Sequence, residues 1–147
     1  MEINWLAVFV ASLSSFVIGA IWFGPKTFYP VWMKALRGSV PTERTEMKLG
    51  ETLLMFGGTY LGALIQVATL AFVFMFFREL APGFGASTGA IWGFIIATGI
   101  GAFSSLSHRM FGHPNGRVYQ SLKVWLIEVG QDVLCLTIAG AILGAWQ

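Results

Sequence analysis

Charge is what this sequence has least of. Only 11% of its 147 residues are Asp, Glu, Lys or Arg, where a soluble domain carries roughly 25%. So few charges cannot cover a water-facing surface, so the missing polar surface is surface that faces lipid. Cysteine is almost absent as well. Cys135 stands alone in an apolar run, which excludes an intrachain disulfide and leaves the redox compartment unspecified. No Lys or Arg precedes the first apolar segment and no A-x-A cleavage pattern follows it, so Met1-Glu2-Ile3-Asn4 opens a retained helix rather than a signal peptide. Also missing are G-x-S-x-G, a phosphate-binding loop, a dinucleotide fingerprint and C-x-x-C. The expectation is a protein without enzymatic activity or cofactor. A net charge of +2 spread over loops forms no nucleic-acid stripe.

What the chain has in abundance is apolar length. The hydrophobic fraction is 56%, and mean hydropathy is +0.72. About 20 apolar residues are needed to cross the hydrocarbon core, and four segments meet this: about 4–23, 52–77, 87–107 and 122–146. Runs such as Ala71-Phe72-Val73-Phe74-Met75-Phe76-Phe77 lack the alternation of a barrel strand. The expected fold is one all-α domain, an integral membrane four-helix bundle.

Basic residues orient it. Lys26, Lys34, Arg37, Arg44 and Lys48 lie in the first connection, and Arg109, Arg117 and Lys123 in or beside the third, whereas the second holds Arg78 alone. The positive-inside rule then puts both basic connections in the cytoplasm and both termini outside. The bacterial inner membrane is the expected location. Trp5, Trp22, Trp125 and Trp146 fall near segment ends and Trp32 in the first connection, as interfacial anchors do. Pro30 can open a short interfacial helix there, with Val31, Trp32, Ala35 and Leu36 on one face and Lys34 and Arg37 reaching outward. Pro41, Glu43 and Glu46 suit the first turn of the second long helix. Pro82-Gly83-Phe84-Gly85 makes a short turn before the third.

Small-xxx-small pairs occur in every segment: Ser15 with Gly19, Gly58 with Gly62, Gly89 with Gly93, and Gly140 with Gly144. Such pairs let helix backbones approach closely in lipid. They do not separate contacts within the chain from contacts between chains. Four helices enclose little interior, so a homo-oligomer is expected.

The last segment carries the polar residues that need explaining. Along Lys123-Val124-Trp125-Leu126-Ile127-Glu128-Val129-Gly130-Gln131-Asp132, Glu128 lies about 7.5 Å deeper than Lys123 and Asp132 about 6 Å deeper again. The two acids are four residues apart and share a face. A charge at mid-membrane costs about 2.5–3.5 kcal/mol. The pair is tolerated if it faces a wet cavity, meets a cation or holds a proton. One reading makes Glu128 and Asp132 an ion or proton site, with Gln66 as a neutral partner. The other starts the helix deeper, leaves Glu128 near the headgroups with Lys123, and has Asp132 bond to Gln66, Thr69 or Thr98. His108 and His113, five apart in the third connection, have too few companions for a metal site. Ser104, Ser105 and Ser107 can bond to backbone carbonyls at a helix end.

The opening Ile3-Asn4-Trp5-Leu6-Ala7-Val8, then Gly19-Ala20-Ile21-Trp22-Phe23-Gly24-Pro25 and Trp32-Met33-Lys34, with the closing Gly140-Ala141-Ile142-Leu143-Gly144-Ala145-Trp146, resembles a bacterial membrane-protein family catalogued as domain of unknown function 1761. The resemblance implies a small protein with four spans and imports no mechanism. Where that family's last helix suggests I-N-A-G-Y, this chain has Ile127-Glu128-Val129-Gly130-Gln131. Three functional readings follow. One is an oligomeric channel or transporter-like protein for an ion or small solute, with an acidic intramembrane site. The alternative is a membrane scaffold that binds lipids or a partner protein. A small membrane enzyme using His108, Arg109 and His113 is a third.

Overall fold

A computed structural model describes residues 2–41, 47–112 and 117–146. Helix α1 spans Trp5–Trp22, α2 Tyr29–Arg37, α3 Leu49–Leu80, α4 Ala86–Ile96, α5 Phe103–Phe111 and α6 Val118–Ala145. A π-helical segment, Ala97–Ala102, joins α4 to α5 in one continuous rod. No strand occurs among the described residues. Four rods, α1, α3, α4 through α5, and α6, are long and apolar enough to cross a membrane, the mark of a multi-pass membrane protein.

Local chemistry explains the ends. Asn4 caps α1 by accepting the Ala7 N–H, at 3.1 Å. Gly38, at φ 83°, stops α2 in a left-handed turn that only glycine adopts without strain. Helix α3 does not begin near Pro41. It begins at Leu49, where the Glu51 side chain accepts the Lys48 N–H. Glu43 and Glu46, expected in that first turn, lie outside the described residues. Helix α2 does start at Pro30's turn. Its buried residues are Met33 and Ala35, while Val31 is exposed.

Helix α6 is the hub, and α4 is its closest neighbour. A methyl group on Gly89, Gly93, Gly140 or Gly144 would overlap a backbone carbonyl across the α4–α6 contact. Ser15 is buried, with its own carbonyl 3.5 Å from the Cys135 thiol. Gly19 leaves room for the Gln131 amide, which would otherwise sit 3.3 Å from its Cβ. Three of the four small pairs therefore pack within the chain. Gly58 and Gly62 do not, since both face open space.

The apolar core gathers Ala7, Val8, Ala11, Val67, Leu70, Ala71, Phe74, Phe84, Ala139 and Leu143. These belong to one end of the bundle, where α1 begins, α3 ends, and Phe84 of the Gly83 turn packs edge-on against Phe74. Arg78 also works there, donating to the Leu143 carbonyl at 2.6 Å and so capping the last turn of α6. At the other end α3 leaves the bundle, and Leu49, Leu53, Leu54, Phe56 and Leu61 are exposed.

Gly93→Leu must force α4 from α6 and should destabilise the fold by about 1–3 kcal/mol or more. Gly58→Leu meets nothing within the chain and should shift the stability of the single subunit by no more than about 0.5 kcal/mol. Thermal melting of the two variants in one detergent compares them directly.

Candidate functional site

Three elements converge on Glu128. Its half-buried carboxylate receives the Arg109 guanidinium of α5 at 2.8 Å and the Trp32 indole N–H of α2 at 3.0 Å. One turn earlier on α6, Trp125 is buried and donates to the Ala102 carbonyl at 3.1 Å and to Ser105 Oγ at 3.2 Å. Ala102 closes the π-helical segment, where the wider turn disturbs the regular backbone ladder, and the Trp125 N–H and Ser105 hydroxyl both bond its carbonyl. On the far side, Trp22 donates to the Ile127 carbonyl at 3.0 Å and lies 3.2 Å from where a Cβ of Gly130 would be. Trp22 stacks on Phe28, and Phe23 meets Trp32 edge-on. This aromatic group holds α2 against the end of α1 and the lower half of α6.

Glu128 is thus a neutralised tie point, and its cation is Arg109 rather than Lys123. Trp22, Trp32 and Trp125 were expected as interfacial anchors, yet each commits its N–H inside the protein. Trp125 is not an outward-facing anchor at all, because the π-helical carbonyl it serves lies in the bundle. Trp5 and Trp146 are exposed near the ends of their helices.

Asp132 differs from Glu128. Ser121, Trp125, Glu128, Asp132, Cys135, Ala139 and Leu143 follow one another by three or four residues, so they form one seam of α6. Every member is buried except Glu128, which is half-buried, and Asp132, which is exposed. Asp132 is the exposed member of this seam, and no hydrogen bond reaches its carboxylate from any described residue. Thr69 spends its hydroxyl on the Ile65 carbonyl at 2.8 Å. The Thr98 hydroxyl, within the π-helical segment, is buried with no partner among the described residues. Counting back equally along α3 and α6 from the Arg78–Leu143 contact brings Gln66 and Val67 level with Asp132. Val67 is buried there and Gln66 exposed. Gln66 therefore shares the depth of Asp132, and no hydrogen bond joins the two.

The other candidates remain apart. His108 is exposed on α5, Arg109 is engaged with Glu128, and His113 lies outside the described residues. Among the described residues no three His, Cys, Asp or Glu side chains cluster as metal ligands would. Ser104 and Ser105 bond to the Gly101 and Ala102 carbonyls. The π-helical segment was not anticipated, and the only sequence signal for it is Thr98-Gly99-Ile100-Gly101 in mid-span.

Trp32→Phe removes a hydrogen bond to a charged acceptor and should cost about 1.5–3 kcal/mol. Glu128→Gln in the Trp32→Phe background should cost less than Glu128→Gln alone. A double-mutant cycle of melting curves reads the coupling, and strict additivity would show that α2 is held by the aromatic contacts only.

No curated protein and no solved structure matches the chain. A family model does match, over residues 6–144, and it is the one that the motifs at the two ends of the sequence resemble. The chain belongs to the family described as Protein of unknown function (DUF1761).

Proposed function

We propose that this protein is a channel- or transporter-like membrane protein that passes a cation or proton, with Asp132 as the acid that meets it. The observation that carries the reading is the exposure of Asp132 within the mostly buried α6 seam. Asp132 is exposed and has no hydrogen-bond partner among the described residues, although Trp125 and Cys135 on the same face are buried. A lipid-facing carboxylate at that depth costs about 2.5–3.5 kcal/mol. Water, a cation or a bound proton at Asp132 removes that cost, whereas a purely structural acid would have a partner, as Glu128 has. Glu128 then acts as a positioning residue that ties α2 and α5 to α6 one turn before Asp132. The adjacent π-helical segment, whose Thr98 hydroxyl has no partner among the described residues, gives this wall the irregular backbone that functional helices often carry.

The protein works in the bacterial inner membrane with both termini outside. The eight basic residues of the first and third connections support this, and the one on the other side, Arg78, is taken up by the α6 terminus. A homo-oligomer is supported by α3, whose Gly58 and Gly62 and surrounding apolar residues meet nothing within the chain.

In proteoliposomes carrying a proton or potassium gradient and a trapped dye, the wild type should dissipate the gradient. Asp132→Asn should abolish the flux, while Glu128→Gln should leave most of it. Equal flux in wild type and Asp132→Asn would overturn the site, and no flux in the wild type would favour a scaffold. A reporter fused after Trp146 that is active only outside the cytoplasm should be active, and a silent reporter would reverse the orientation.

A further inference from the structure

A second feature lies away from Asp132, at the end of the bundle where the basic connections meet the helices. A groove of about 470 Å³ runs between α2 and the first turns of α6, lined by Pro30, Val31, Lys34, Ala35, Val40, Gln120 and Lys123. Its wall is mostly apolar. Pro30, Val31 and Ala35 come from one face of α2, and Val40 is turned back toward them by the left-handed turn at Gly38. The two charged residues in the lining are both lysines, one from each helix. Neither has an acidic partner among the described residues, where the one ion pair joins Arg109 to Glu128. The first turn of α6 has no acidic residue and no side-chain cap, so the positive end of its dipole adds to the same field.

We infer that this groove binds an anionic phospholipid, the phosphate between Lys34 and Lys123 and the start of an acyl chain along Val31, Ala35 and Val40. Charge and shape both select that ligand. Two unpaired ammonium groups from separate elements ask for an anion. A soluble anion, however, would have no use for a wall of Val, Ala and Pro. A lipid with one anionic headgroup and an apolar tail satisfies both. The groove also occupies the level where such a headgroup resides, beside the Tyr29 and Trp32 rings of α2 and at the start of a membrane-spanning rod. The inference does not depend on Asp132 carrying ions. Lipid bound here would brace α2, and through Trp32 the Glu128 tie point, at 3.0 Å.

The test is native mass spectrometry of the full chain in micelles of zwitterionic detergent, titrated with phosphatidylglycerol or phosphatidylcholine. The wild type should retain phosphatidylglycerol in preference to phosphatidylcholine. Lys34→Gln with Lys123→Gln should weaken that binding about 30-fold, from roughly 1 kcal/mol per basic residue near a lipid surface. Each single variant should lose about fivefold on the same scale, which keeps the comparison if the double variant folds poorly. Lys26→Gln with Arg37→Gln removes the same charge from outside the groove and should keep wild-type affinity. Millimolar inorganic phosphate should not displace the lipid. Equal retention of the two lipids, an equal loss in the control pair, or displacement by phosphate would each overturn the assignment.

Discussion

Direct backbone contact between α4 and α6 is the constraint on which the rest of the structure depends. Lipid tails are as apolar as leucine, so no hydrophobic force draws two spanning helices together. Van der Waals packing and interhelical hydrogen bonds have to do it. Gly89 and Gly93 against Gly140 and Gly144 bring the two backbones close enough for carbonyls to occupy the space a side chain would take. With that contact made, α6 has one flank committed, and the remaining elements distribute around its other faces. Gly19 and Ser15 bring α1 to it, and Arg78 brings the end of α3.

The polar residues of α6 divide into roles according to what this arrangement places opposite them. Glu128 faces the end of α5 and the short helix α2, so it acquires a guanidinium and an indole and becomes a fastening. Asp132, one turn deeper on the same seam, faces a place where no described residue bonds to it. Both are carboxylates at equivalent spacing on one helix, and their difference comes wholly from their neighbours. The tryptophans behave similarly. A ring near a helix end has a polar atom to satisfy, and Trp22, Trp32 and Trp125 satisfy it on protein acceptors because carbonyls and a carboxylate are closer than headgroups.

Much of this was legible in the chain. Segment ends near Phe23 and Arg78 follow from apolar length and from turn and charge signals, and α1 and α3 end within a few residues of them. The serine bonds at 104 and 105 follow from chemistry local to one helix. Pro41 was misleading, since proline tolerates many extended positions besides a first helical turn, and Glu51 supplied the start of α3 instead. The π-helical segment left almost no trace, because one extra residue in a helical turn does not alter hydropathy.

The sequence by itself determined that four rods are long and apolar enough to span a membrane, that basic residues crowd two of the three connections, and that α6 carries two acids four residues apart. Those properties depend on composition and on the fixed periodicity of a helix, both of which are local. Only the tertiary structure decided that Glu128 is paired while Asp132 has no partner among the described residues, that Gln66 is exposed, and that three small-residue pairs are used while Gly58 and Gly62 are left open. Each of those depends on which face of one helix meets which face of another, a relation between residues distant in the chain that no single segment encodes.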